Sequence, residues 1–161
     1  MTTEHSLPNG KDSLPNGKAS LLQALAEFRY HLRTFTHFSE QAAHKVDLHP
    51  QQHQLLLQIA GTPHDSLASI AYAAERLGLR HHTVVELVDR SVAEGLLLRT
   101  EDPNDGRRVI LAITKKGRKI LQNLSEYHAR ELRELGPRLI RSLENIEATQ
   151  NASNKHKRRV Q

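Results

Sequence analysis

The chain has 161 residues, a formal net charge of +5 and no cysteine. A chain of this length can bury a hydrophobic core, and the lack of cysteine excludes disulfides, thiolate metal ligands and thiol redox chemistry. Part of the positive charge lies in the sequence KHKRR at residues 155–159, so net charge alone does not establish nucleic-acid binding. No apolar run approaches the roughly 20 residues of a membrane span, and none resembles a secretory signal. We therefore expect a cytoplasmic protein without a membrane partner.

The first 19 residues are predicted to form a flexible tail. The unit SLPNGK occurs at residues 6–11 and again at 13–18, and it is rich in turn-forming residues. Two copies of so short a unit do not make a repeat fold, so a duplication in a tolerant terminus is the simpler interpretation. Residues 20–149 are predicted to form one domain, and residues 150–161 a second flexible tail that is basic.

A long amphipathic helix is predicted to begin after Ser20, which is a good N-cap. Apolar or small residues recur through residues 21–46 with alternating steps of four and three, which gives a heptad-like seam. Such a seam packs against its own fold or pairs with another chain. A second helix is predicted over residues 50–60, because its first residue is a proline and Gly61 follows its last turn.

Two shorter helices are predicted at residues 70–77, capped by Ser69, and at residues 81–94, and a glycine follows each. Two short helices joined by a tight step form the layout of a helix-turn-helix, whose second helix enters the major groove of DNA. An ordinary helical hairpin has the same layout, and it remains an alternative at this point. The second helix is predicted to bury Val84, Leu87, Val88 and Ser91, and to expose His81, His82, Val85, Glu86 and Asp89.

A β-hairpin follows, with predicted strands at residues 96–100 and 109–113 and the sequence DPNDGRR at its tip. A helix-turn-helix followed directly by a hairpin with a basic tip is a winged helix, and arginine suits the narrow minor groove of DNA. Asp105 precedes Arg107 by two residues and can hold its guanidinium group in a bidentate pair. The alternative is a solvated turn that only closes the hairpin.

Two more helices are predicted after the hairpin. Thr114 caps the first, which extends to Leu135, where the Gly-Pro pair at residues 136–137 is predicted to end it. The second helix carries an apolar stripe at residues 139–146. The elements together predict a mainly α protein with one small β-hairpin.

The wing sequence resembles that of the MarR (multiple antibiotic resistance) regulators, in which a D-P-x-D-x-R turn leads through a strand to L-T-x-x-G. The matching residues run from Asp102 to Gly117. Residues 67–99 resemble the helix-turn-helix of the family, and residues 50–61 resemble its second helix. The resemblance spans about residues 20–145, and the wing is its most specific part.

Two residues depart from the family pattern. Gly106 stands where the family often has a second arginine, and Arg108 could supply that charge from the next position. Ser91 stands where the recognition helix usually has a buried leucine, and Val92 with Leu97 could fill the space.

The resemblance implies a winged helix-turn-helix DNA-binding domain at residues 65–117, with N- and C-terminal dimerisation helices at 20–61 and 118–149. It implies a homodimer that regulates transcription at pseudo-palindromic operators on double-stranded DNA, and represses until a small effector, often aromatic or phenolic, releases it. It also implies that Arg107 reaches into the minor groove and that Asp105 orients it. The implied DNA-binding residues are Ser69, Arg80, His81, His82, Thr83, Val85, Glu86, Asp105, Arg107 and Arg108.

The first helix carries four candidate residues for an effector pocket, namely His31, Arg33, Phe35 and Phe38. Packing and surface residues would give the same sequence, so this alternative is kept.

Eleven histidines raise the question of a metal site, and His49 and His53 lie one helical turn apart with His44 nearby. No cysteine or acidic residue completes a ligand set, so we expect surface-exposed neutral histidines, no metal and no cofactor. His81 and His82 could make DNA affinity depend on pH near neutrality.

Other functions are weighed against a DNA-binding regulator. A metal- or pH-responsive regulator of the same fold is one alternative, and a winged-helix module for protein interaction is another. The chain has no nucleophile elbow, phosphate-binding loop or paired carboxylates, so we do not expect an enzyme.

Overall fold

The computed structural model describes the backbone of residues 16–64, 66–102 and 105–159, and the side chains of residues 20–64, 66–102, 105 and 108–152. Most of the predicted N-terminal tail, at residues 1–15, lies outside the described residues. The described part is mainly helical with one two-stranded antiparallel sheet, as predicted. Its elements are α1 (Asn16–His44), α2 (Pro50–Ala60), α3 (Ile70–Leu77), α4 (His81–Ala93), β1 (Leu97–Asp102), β2 (Asp105–Ile113) and α5 (Lys115–Arg159).

The chain divides into two compact units. The first contains residues 1–34 and 134–161, so its described part is the beginning of α1 and the end of α5. Ala24 and Leu135 are buried in it. None of the helices in the described part of the chain is long and apolar enough to cross a membrane.

The second unit contains residues 35–133 and holds the main hydrophobic core. Because apolar residues recur at helical spacing, each helix turns one stripe inward. On α4 this stripe is Val84, Leu87, Val88 and Ser91, as predicted, and all four are buried. The Ser91 hydroxyl donates to the Leu87 carbonyl at 2.8 Å, which satisfies a polar group inside the core.

The two helices of the helix-turn-helix begin and end where the sequence predicts, to within one residue. Ser69 caps α3, since its hydroxyl oxygen accepts a hydrogen bond from the Tyr72 backbone N–H at 3.1 Å. Gly78 ends α3 with φ +64°, a left-handed conformation that favours glycine. The step to α4 therefore depends on local signals that are visible in the sequence.

The hairpin is longer than predicted. The predicted strand ends were Thr100 and Val109, whereas pairing continues through Glu101 opposite Val109 and, after an irregularity in register, Asp102 opposite Asp105. The prediction failed because strand pairing uses backbone groups, so polar residues extend the ladder without an apolar pattern. As a result Arg108 lies within β2 rather than in the turn.

The predicted ends of the two long helices were wrong. α1 begins at Asn16, so Ser20 lies inside it, and its hydroxyl lies 3.1 Å from Thr149 Oγ1 instead of capping the helix. α5 continues through Pro137 to Arg159, beyond the predicted break and past residue 150. A proline removes one backbone donor, but buried residues before and after it, Leu135 and Ser142, stabilise the turns on both sides.

Candidate nucleic-acid interface

The outer face of α4 carries the residues predicted to read DNA. Because the opposite stripe is buried, His81, His82 and Glu86 are exposed, whereas Thr83 and Val85 are half-buried. Arg80, in an extended conformation directly before the helix, is exposed and its side chain makes no capping hydrogen bond. The face therefore presents donors, acceptors and one apolar side chain, which are the groups that contact base edges in a major groove.

Three of the predicted residues, far apart in sequence, line one groove. The groove has a volume of about 580 Å³. It is lined by Ser69 at the start of α3, His81 at the start of α4 and Arg108 on β2. The first turns of both helices lie there, and helix N-termini favour anions because their backbone N–H groups lack partners within the helix. The remaining lining is Leu67, Ile70, Ala71, Val109 and Ile110.

The groove is held together by backbone hydrogen bonds between the wing and the segment before α3. The Leu111 N–H donates to the Ala68 carbonyl at 2.7 Å, and Ser69 forms an isolated bridge with Ile110. These bonds fix β2 against the helix-turn-helix. These backbone bonds therefore position Arg108 relative to α3 and α4. The sequence pattern could not predict this position.

Asp105 forms an ion pair with Arg108, whose Nε lies 3.4 Å from its carboxylate. The sequence predicted that Asp105 would orient Arg107, but the Arg107 side chain lies outside the described residues, so that pairing stays a prediction. Because the observed pair is largely solvent-exposed, it contributes little stability. Its effect is to restrict where the Arg108 guanidinium group points.

A second ion pair connects the wing to α4, and sequence reasoning missed it. Arg99 on β1 donates to the Asp89 carboxylate at 2.5 Å. The sequence pattern places Asp89 only on the outer face of α4. The signal that could have found the pair is an arginine in a predicted strand shortly after an exposed acidic residue.

The four candidate effector residues divide between the two units. In the first unit, His31 lies 3.9 Å from the Glu27 carboxylate, and Arg33 is exposed. In the second unit, Phe35 and Phe38 contact the His128 ring edge-on, with centroids 5.8 Å and 5.7 Å away. An effector pocket formed by these residues stays a prediction.

The expectation of surface-exposed histidines is wrong for His53. It is 3% exposed, and its ring stacks on His128 with centroids 4.9 Å apart. Burial, and to a smaller extent the charge of His128, lower the pKa of His53 to about 4. The cause is its position on α2, where it shares the inward stripe with Leu56.

Both ring nitrogens of His128 are engaged. Nδ1 donates to the Leu124 carbonyl at 2.6 Å, so in the neutral ring Nε2 accepts from the Ser39 hydroxyl at 2.8 Å. By contrast, Nδ1 of His53 is buried with no hydrogen-bond partner among the described residues.

His49 caps α2 by accepting from the Gln51 N–H at 3.3 Å. Within the described ranges, no three potential ligands of the His, Cys, Asp or Glu type lie together.

The second unit contains two helices, α3 and α4, joined at a glycine. The outer face of α4 is exposed, and a hairpin packs beside both helices. This arrangement defines a winged helix-turn-helix protein. The sequence model of the MarR family matches residues 46–108, from before α2 into β2. The predicted resemblance to the MarR family is confirmed over these residues. A search of curated proteins gave no match.

Solved structures of MarR-type regulators share the fold. MepR from Staphylococcus aureus, in complex with DNA, is 22% identical over 83% of this chain and 97% of its own, with a TM-score of 0.56. BldR from Sulfolobus solfataricus, a transcriptional regulator, is 26% identical over 89% and 96%, with a TM-score of 0.54. CouR from Rhodococcus jostii RHA1, bound to p-coumaroyl-CoA, is 22% identical over 62% and 68%, with a TM-score of 0.55.

Proposed function

We propose that this protein is a sequence-specific transcriptional regulator in which α4 enters the major groove of operator DNA and the wing contacts the adjacent backbone and minor groove. The observation that carries the proposal is the groove in which Ser69, His81 and Arg108 meet beside the exposed face of α4. Residues 65–117 would be the DNA-binding part. The proposed contacts are Ser69, Arg80, His81, His82, Thr83, Val85, Glu86, Asp105, Arg107 and Arg108.

The regulator is proposed to act as a homodimer. In the first unit, α1 exposes Leu22 by 55% and α5 exposes Ile140 by 58% and Leu143 by 45%. Apolar side chains at helical spacing that stay in water favour association, because covering them removes apolar surface from solvent. A two-fold dimer would place two copies of α4 on a pseudo-palindromic operator.

Repression released by a small effector is the proposed mode of regulation. The aromatic side chains of Phe35 and Phe38 beside His128, and of Tyr127 stacked on Phe38, offer surfaces on which a planar ring can pack. The ligand-bound structure of CouR and the DNA-bound structure of MepR support a regulator that binds both kinds of partner. The protein would work in the cytoplasm without catalytic activity.

Selection of binding sites from random-sequence DNA, followed by mobility shifts on the selected duplex, tests the proposal. We expect the wild type to enrich a pseudo-palindrome. Arg107→Ala and Arg108→Ala should each weaken binding and reduce the dependence on salt by about one counterion, because each removes one phosphate or minor-groove contact. Arg130→Ala, at an exposed position on α5 that does not line the groove, is the control.

The outcomes separate the hypotheses. If the wild type enriches no sequence, the protein is not a sequence-specific DNA-binding regulator. Capture of a protein partner would then favour the alternative that the winged helix is a module for protein interaction. If both wing variants bind like Arg130→Ala with an unchanged salt slope, the wing does not contact DNA.

A further inference from the structure

The C-terminal end of α4 is held by two other helices. Glu94 follows the last residue of the helix, and its carboxylate accepts a hydrogen bond of 2.9 Å from the Gln52 side-chain amide on α2. Its backbone carbonyl accepts a hydrogen bond of 2.8 Å from the Lys116 ammonium group on α5. One residue therefore joins α4 to both α2 and α5.

The Gln52 side chain is buried, only 4% exposed, and it is engaged at both ends. Its oxygen accepts from the His49 backbone N–H at 3.1 Å, which completes the capping box of α2, and its nitrogen donates to Glu94. A buried amide that loses a partner incurs the cost of desolvation. A displacement of α4 relative to the start of α2 would break one of these bonds, so Gln52 links the two helices in addition to their core contacts.

On the side of α5, the turn after α4 has little freedom. The Thr114 hydroxyl donates to the Gly95 carbonyl at 2.7 Å, and its backbone N–H donates to the Leu96 carbonyl at 3.1 Å. A Cβ atom on Gly117 would lie 2.4 Å from the Leu96 carbonyl oxygen, so α5 starts directly against this turn. The chain after Glu94 is therefore fixed on the side of α5, and the Gln52–Glu94 bond adds a contact on the side of α2.

We propose that Gln52 and Glu94 are positioning residues for DNA binding, which hold α4 at the angle at which its exposed face fits the major groove. The inference rests on the proposed function and adds two residues that lie outside the proposed contact surface. Geometry at a base edge tolerates little error, because hydrogen bonds weaken steeply when they are misaligned.

Electrostatics alone predicts the opposite result, which makes the proposal testable. Glu94 is negative and DNA is a polyanion, so removing the charge should strengthen binding if only charge matters. We expect Glu94→Ala to weaken binding to the selected duplex by up to about fivefold, because the free energy of one net hydrogen bond is the most that its loss can remove from the bound geometry. Glu94→Gln removes the same charge but keeps an oxygen for Gln52, so it should bind at least as tightly as the wild type.

An exchange of the two side chains tests the bond itself. Gln52→Glu places two carboxylates at hydrogen-bond distance and should weaken binding more than Gln54→Glu, which adds the same charge at an exposed position of α2. The double variant Gln52→Glu with Glu94→Gln restores one donor and one acceptor, and its affinity should return to within about twofold of the wild type. Affinities are compared where thermal unfolding shows every variant to be folded.

Three results would overturn the inference. One is tighter or unchanged binding by Glu94→Ala. This test does not depend on the folding of Gln52→Glu, and Glu94→Ala itself should fold because Glu94 is exposed. Another is weakening of Gln52→Glu that the exchange does not relieve. A changed salt slope in Glu94→Ala would mean altered phosphate contacts rather than positioning. If the wild type selects no DNA at all, the proposed function itself falls, and the positioning role falls with it.

Discussion

Acid should destabilise this protein through one buried side chain, His53. In the folded state burial holds its pKa at about 4, whereas the ordinary value of 6.5 applies to the unfolded chain. Between these values the unfolded chain binds a proton that the folded protein does not accept. The stabilisation from His53 is therefore complete above about pH 6.5 and is lost as the pH falls towards 4.

The size of the effect follows from the same two values. One pKa unit corresponds to about 1.4 kcal/mol, so the full loss is about 3–4 kcal/mol, and about 2 kcal/mol of it should appear between pH 7 and pH 5. This is a large fraction of the roughly 5–15 kcal/mol that stabilises a typical domain. It arises because the imidazolium ion would be buried against another histidine, and Nδ1 of His53 has no hydrogen-bond partner among the described residues.

Urea unfolding at pH 7 and at pH 5 measures this loss. His53→Phe keeps a ring that can stack on His128 but cannot be protonated, so its free energy of unfolding should fall by about 2 kcal/mol less than that of the wild type. His64→Gln removes an exposed histidine and serves as the control for general titration. The reasoning is refuted if His53→Phe and the wild type lose the same stability, or if NMR gives His53 a pKa near 6.5.

One further prediction concerns the cap of α3, and two concern glycines of α5. Ser69→Ala should lower the free energy of unfolding by about 1 kcal/mol, measured by urea titration, because the Tyr72 N–H loses its capping partner; no change would show that the cap is dispensable. Gly117→Ala should cost more than that and lower the melting temperature, since its Cβ would meet the Leu96 carbonyl oxygen at 2.4 Å. Gly136→Ala is the matched change inside the same helix. Among the described residues, no atom beyond its chain neighbours and the backbone of its own helix lies within 4 Å of the added Cβ, so it should raise stability by about 0.5–1 kcal/mol. Equal effects at the two glycines would contradict the close approach.

The helix boundaries between α2 and the start of α5 were predictable because residues close in sequence determine them. A proline opens α2, Ser69 caps α3, Gly78 ends it and Thr114 caps α5, and each of these residues acts through its own backbone or its nearest neighbours. The inward stripe of α4 follows from helical spacing alone. No knowledge of the rest of the chain was needed for these elements.

The parts that were mispredicted depend on distant contacts. Pro137 breaks an isolated helix, but α5 continues because residues on both sides of it are buried. The hairpin extends to Asp102 and Asp105 through backbone pairing, which the pattern of side chains does not predict. His53 looked like one of many surface histidines, and only the presence of His128 from another helix shows that it is buried against a ring.

The arrangement of charge at the candidate interface bears on what kind of DNA binding it supports. Two arginines of the wing region, Arg99 and Arg108, are each paired with a carboxylate, Asp89 and Asp105. A paired arginine attracts phosphate less strongly at a distance than a free one, so these residues act on DNA mainly at close range. Their guanidinium groups are instead restricted in direction, which favours contacts at defined positions on the duplex. A modest net charge of +5 is therefore compatible with specific binding, because specificity depends on where the side chains are held rather than on how many are positive.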